Sequence, residues 1–179
     1  MGYVQMVLPP AAVEAFEHNN QTLSQAIIND YGYTYQYDAR GRTIEKKLPG
    51  AAPIKMRYNA RDQLVLSQDG NLRNKNQWQY TKYDGLNRPI ESGLLTTEAD
   101  QATLQSQIDN SDLFEQRKKV NNAATEHGYS NNAFPTAAHG EKTVLSVSYY
   151  DDYDFDYEGS ADVSYQPTGG KLTTEPVPD

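Results

Sequence analysis

The sequence contains no cysteine, which excludes disulfides, thiolate metal centres and cysteine catalysis without fixing a compartment. It also lacks any apolar run near the roughly 20 residues of a membrane span, and its first residues carry no signal-peptide pattern. An export signal, if the natural protein uses one, lies outside this chain. Basic residues are scarce: 16 Lys and Arg stand against 24 Asp and Glu, for a net charge of -8. That deficit argues against nucleic acid and anionic membranes as partners, since both call for a basic footprint. Large apolar residues are few as well, with 4 Phe and 1 Trp in an apolar fraction of 37%. A chain of 179 residues can still bury a core, so its 14 tyrosines must supply much of that core. A buried tyrosine keeps its hydroxyl on a polar partner or on water, which suits a sheet with one wet face.

The tyrosines mark a repeated design. Tyr37-Asp38-Ala39-Arg40-Gly41-Arg42, Tyr58-Asn59-Ala60-Arg61-Asp62 and Tyr83-Asp84-Gly85-Leu86-Asn87-Arg88 are three versions of one turn, and Tyr150-Asp151-Asp152-Tyr153-Asp154 is a degenerate echo. Four residues after each of the first three tyrosines stands Gly41, Asp62 or Asn87. These residue types best tolerate the left-handed conformation that a bulged hairpin turn requires. Strands are expected on both sides of each turn. Tyr31, Tyr33, Tyr35 and Tyr37 are spaced by two, so on a strand all four rings share a face.

The rest of the chain reads differently. Val13, Phe16, Leu23 and Ile27 form one stripe behind Pro9-Pro10, predicting an amphipathic helix over residues 10–28 that packs on the sheet. Thr97 begins a capping-box pattern, predicting a short helix over residues 98–108. Residues 111–125 hold a second helical pattern, weakened by Asn121-Asn122. Residues 128–140 read as loop, residues 143–150 as strand, and the proline-rich residues 159–179 as an extended tail. The expected fold is mainly β (α+β): an antiparallel meander of hairpins with an N-terminal helix and a short helical insertion. Its divisions are a helical arm at 1–30, a sheet domain at 31–158 with an insertion at about 94–142, and the tail.

The run Tyr35-Gln36-Tyr37-Asp38-Ala39-Arg40-Gly41-Arg42 resembles the YD repeat of the Rhs (rearrangement hotspot) family. Tyr83-Asp84 with Asn87-Arg88 matches it with Asn in the Gly slot, while Tyr58-Asn59 with Asp62 departs at the Asp and Gly-Arg positions. Gly128-Tyr129-Ser130-Asn131-Asn132-Ala133-Phe134-Pro135, followed by the 145–154 stretch, resembles the variant in large secreted proteins of Bacteroidetes-type bacteria. The resemblance spans residues 31–155. It implies a strip of hairpins that, in members with many repeats, coils into a shell around a toxin or other cargo; related repeats occur in surface adhesion proteins, and some are associated with carbohydrate binding. Three or four hairpins cannot enclose a cargo, so this chain is expected to be a piece of wall. Its implied partners are neighbouring repeats of the same polypeptide or a second copy, with polysaccharide as a further candidate. The implied location is extracellular or at the cell surface.

Chemical constellations are thin. Asp151, Asp152, Asp154, Asp156 and Glu158 are the best metal candidate, as calcium takes six to eight oxygens. Alternation with Tyr153, Phe155 and Tyr157, and no glycine within, favours a strand with a solvated acidic face. His18, His127 and His139 match no zinc or catalytic spacing, and although Ser130 and Glu141 lie near the last two, no nucleophile elbow or oxyanion hole accompanies them. Arg40, Arg42, Arg61 and Arg88 recur beside the turns, where stacking on tyrosine rings or pairing with turn carboxylates is expected ahead of binding a sulfated or carboxylated ligand. No catalytic, metal or cofactor-binding residue is assigned, and no cofactor is expected. The tyrosine face leaves one alternative to a non-catalytic scaffold, a carbohydrate-binding module.

Overall fold

Alternating side chains between polar turns extend the chain from Tyr33 onward into successive strands. The computed structural model describes residues 2–118, 125–150, 164–166 and 171–173, with backbone alone at 125–126, 164–166 and 171–173. The first strands are β1 (Met6–Val7), β2 (Tyr33–Tyr37), β3 (Thr43–Lys47), β4 (Ile54–Tyr58), β5 (Leu64–Gln68), β6 (Gln77–Tyr83) and β7 (Pro89–Thr96). A two-residue pair, β8 (Thr125–Glu126) and β9 (Tyr129–Ser130), intervenes before β10 (Glu141–Val147). Strands β1 to β7 lie in chain order, and β10 joins beside β7 to complete an eight-stranded sheet. Every pairing in it is antiparallel.

The three turns are built alike. Gly41, Asp62 and Asn87 take φ of 79°, 61° and 67°, so the left-handed slot falls where the residue types place it. The side chains of Asp38, Asn59 and Asp84 each accept two backbone N–H groups of their own turn. Each return strand carries one extra residue, Ile44, Val65 or Ile90, that has no partner across the hairpin. Such a bulge sharpens the local twist.

Register repeats between hairpins as well as within them. Met6 faces Thr34, Glu45 faces Lys55, Leu66 faces Tyr80, and Glu91 faces Val147. In every pair the second residue lies three positions before a marking tyrosine: Tyr37, Tyr58, Tyr83 or Tyr150. The degenerate fourth tyrosine therefore holds the same place as the other three.

The N-terminal helix is broken in two, against the expectation of one helix over 10–28. Helix α1 (Pro10–His18) ends at Asn19, and α2 (Gln25–Tyr31) starts behind Ser24, whose hydroxyl accepts the Ile27 N–H. Asn20 and Gln21 between them sit at φ of 51° and 55°, a conformation no right-handed helix contains. Tyr31 consequently belongs to α2, and only Tyr33, Tyr35 and Tyr37 share the β2 face.

A short turn of helix, α3 (Gly70–Arg73), links β5 to β6. Helix α4 (Gln101–Asp109) forms as predicted, although Asp100 caps it, not Thr97. It lays Leu104 and Ile108 onto Val65, Leu66, Trp78, Tyr80, Leu95 and Phe134, which together make the core. Full burial of each large side chain contributes about 1.5–3 kcal/mol. Gly93 lies opposite Tyr80 in the β6–β7 ladder, and a Cβ there would collide with the Thr143 carbonyl and the Tyr80 ring.

No helix forms among the described residues of 111–118. Isolated bridges Asp84–Glu115, Asp112–Ala133 and Arg117–Tyr129 hold that stretch extended instead. Residues 128–140, expected as loop, include β9, a cis Phe134-Pro135 bond and a 3-10 turn at Ala137–His139. In the tail, β11 (Ser164–Gln166) and β12 (Lys171–Thr173) pair antiparallel.

Candidate functional site

The turn end of the sheet gathers most of the flagged arginines into a ladder. Arg42 pairs with Asp38 of its own turn at 2.6 Å and with Asp62 of the next at 3.0 Å, and also reaches the Asn59 carbonyl at 2.8 Å. Arg40 bridges to Asp62 at 3.0 Å and to the Ala60 carbonyl at 3.0 Å. Arg61 repeats the reach, donating to the Gly85 carbonyl at 3.0 Å, and Gln63 donates to Asn87 at 3.1 Å. Arg88 closes on Asp84 at 2.5 Å. Burial raises the Asp38 pKa, but the Arg42 N–H, the Arg42 guanidinium and the Arg40 N–H outweigh it and hold the carboxyl below its ordinary value.

The tyrosines link neighbouring hairpins by one recurring bond. Tyr58 donates its hydroxyl to the Thr43 carbonyl, Tyr83 to Leu64 and Tyr150 to Pro89, at 2.9, 2.9 and 2.8 Å. Each acceptor stands six residues after the preceding marking tyrosine. Arg42 lies over the Tyr58 ring at 5.0 Å and Arg88 over Tyr150 at 4.5 Å. Tyr37 receives the same treatment from the N-terminal segment. Its hydroxyl donates to Val4 at 2.9 Å and its ring stacks on Tyr3 at 4.9 Å, so Tyr3 and Val4 stand where Arg42 and Thr43 stand towards Tyr58.

Beside the first two turns, a groove of about 730 Å³ opens between the sheet and α4, lined among others by Arg40, Arg42, Arg57, Gln101 and Gln105. Arg57 extends from β4 beneath α4, and Gln105 of α4 donates to the Tyr58 carbonyl at 2.9 Å. Burial pushes the Arg57 guanidinium below its ordinary pKa, and the field of Glu45 opposes that shift.

A second polar centre ties the insertion down. The buried Glu115 carboxylate accepts from Lys82 Nζ at 3.0 Å, Ser130 Oγ at 2.6 Å, Asn132 N at 3.1 Å and Ala133 N at 2.9 Å. Lys82 also donates to Asn131 at 2.8 Å. Nearby, Arg117 lies over the rings of Tyr129 and Tyr149 at 5.3 and 4.7 Å. Burial, opposed by Arg117, pushes the Tyr129 phenol up to about 12.

The three histidines serve separate local roles. His18 contacts the Glu14 carbonyl within α1, His127 sits in a turn at φ 50°, and His139 caps a 3-10 turn through Thr136. Burial lowers the His139 pKa, and a hydrogen bond with the Thr136 backbone opposes that shift. Ser130, imagined beside His127, is committed to Glu115, and Glu141 opens β10 at the surface. Tyr33, Tyr35 and Tyr37 are half-buried, neither sealed in nor displayed as bare rings. The acidic cluster Asp151, Asp152, Asp154, Asp156 and Glu158 lies outside the described residues. Among the described residues no group of His, Asp or Glu is placed to hold a metal, and no helix is long and apolar enough to cross a membrane.

Sequence reasoning missed Arg57, Lys82 and Glu115. Lys82 and Glu115 meet across 33 positions and Arg57 meets Gln101 across 44, and no local pattern announces such contacts. The fold and this site define a β-rich protein built on recurring hairpins. No protein-family model matches the sequence, and comparison with curated proteins finds no match.

Proposed function

We propose that the chain is a non-catalytic structural and interaction segment of a larger exported bacterial protein of YD-repeat type, forming part of a β-shell or surface scaffold. The recurrence of one interface supports this reading best. A tyrosine hydroxyl meets a backbone carbonyl at the same offset between successive units, and the strand register repeats with it. An interface of this kind joins unit to unit by a fixed rule, so neighbouring repeats or a second copy are its natural partners. The arginines serve that ladder, which supports a mechanical role over a chemical one.

The alternative, a carbohydrate-binding module using exposed tyrosines, draws on Tyr31, which is 40% exposed. It draws little from the marking tyrosines, whose hydroxyls already bond to carbonyls. Denaturant melts and a glycan array separate the two readings. Under the scaffold reading, Tyr58→Phe and Tyr83→Phe each lower stability by about 0.5–1.5 kcal/mol, the net value of one hydrogen bond, and the wild-type chain is not retained by glycans. Unchanged stability in these variants, together with retention of the wild-type chain by a glycan that Tyr31→Ala no longer binds, would establish the carbohydrate reading and overturn the scaffold.

A further inference from the structure

The groove between the first two turns and α4 contains a cation, Arg57, that has no counter-ion among the described residues. Arg57 is 8% exposed, and among the described residues no carboxylate lies within 4.0 Å of its guanidinium. Its bonds end on the carbonyls of Met56, Ile44 and Gln101 and on the Gln101 side-chain oxygen. Nη2 carries two protons, and Gln101 takes one of them. Glu45, whose field reaches Arg57, is engaged by Gln36 at 3.3 Å. A buried charge left in this state is costly unless something pairs with it.

The surroundings narrow what that partner is. Arg42 pairs with Asp38 and Arg40 with Asp62, so among the described residues Arg57 is the lining cation left without an ion pair. A single negative charge balances it, while a phosphate dianion would overshoot beside the Asp38 and Asp109 carboxylates of the lining. The planar guanidinium fork suits a carboxylate. The cavity, about 730 Å³, falls within the roughly 300–1,000 Å³ of small-molecule sites. Strands β3 and β4 are paired on both sides, so no free backbone edge exists there for an extended peptide.

We infer that this groove binds a small monocarboxylate, whose carboxylate pairs with Arg57 while Arg40 contributes at the rim. The inference is independent of the scaffold reading, since a wall segment either carries such a site or does not. The ligand's source is a polyhydroxylated sugar acid or a short alkyl acid, and glucuronate and hexanoate are the probes that distinguish them.

Calorimetric titration of the full chain at low salt tests the site. One of the two acids binds saturably, and its neutral counterpart, glucose or hexanol, does not. Arg57→Met weakens binding about tenfold or more, as loss of a charge-assisted contact requires, and melts no lower than wild type without ligand, because the change removes an uncompensated buried charge. Arg40→Ala, at a side chain 52% exposed, retains the fold and weakens binding severalfold, which keeps the test decisive if Arg57→Met does not fold. Failure of both acids to bind at about 10 mM, an affinity weaker than any site of this design should have, overturns the inference. So does binding of inorganic phosphate in place of the acids, or unchanged affinity in Arg40→Ala.

Discussion

Replacing Glu115 by Gln isolates the polar centre that holds the insertion against the sheet. Glu115 and Lys82 are 1% and 2% exposed, and four donors converge on the carboxylate. Glutamine keeps the shape but offers a single acceptor oxygen and turns an NH₂ towards donors. Lys82 is then left as a buried ammonium with Asn131 as its remaining partner. Breaking a buried pair from one side costs about 3–5 kcal/mol, a large part of the roughly 5–15 kcal/mol that holds a domain folded. With a urea slope of about 2 kcal/mol/M, the midpoint should fall by about 1.5–2.5 M. Urea melts followed by the Trp78 fluorescence and by far-UV circular dichroism read that shift. The double variant Lys82→Met/Glu115→Leu should lie well above the sum of its single variants, with a coupling of about 1 kcal/mol or more. A Glu115→Gln loss below about 1 kcal/mol, or an additive double variant, would falsify the claim that this ion pair anchors the insertion.

Two further outcomes follow from the turns. Asn87→Gly should be nearly neutral, whereas Asn87→Val should cost about 1–2 kcal/mol, the strain of a branched residue at φ 67°; equal melting temperatures would contradict the left-handed slot. Because the folded pKa of Asp38 lies below its ordinary value, its contribution to stability is present above the unfolded pKa of about 3.9 and disappears as pH falls through the folded value. Stability measured from about pH 6 down to pH 2 should therefore decline less steeply in Asp38→Asn than in wild type, and parallel curves would count against the turn hydrogen bonds.

The turns were legible because their physics is local. Gly41, Asp62 and Asn87 meet the left-handed requirement within four residues of the chain, and Asp38, Asn59 and Asp84 bond to backbone only two and four positions away. Helix α4 was legible for the same reason, through its periodic Leu104 and Ile108. The N-terminal stripe misled, since apolar spacing continued across residues 19–24 while Asn19, Asn20 and Thr22 are poor helix formers and Ser24 a strong cap. The helical pattern over 111–125 yielded to tertiary bonds. The Tyr83 carbonyl accepts the Glu115 N–H at 2.8 Å, and Lys82 donates to the Glu115 carboxylate.

From the sequence alone came the antiparallel hairpins and the place of each turn, both consequences of residue type acting on its own backbone neighbourhood. Tertiary structure alone decided which carbonyl the Tyr150 hydroxyl meets, that Tyr3 and Val4 meet Tyr37 as Arg42 and Thr43 meet Tyr58, and that Arg57 lies buried beside a groove with no counter-ion among the described residues. Those outcomes depend on which distant strands meet and in what register. A one-residue slip would change them all while leaving every local pattern in the sequence intact.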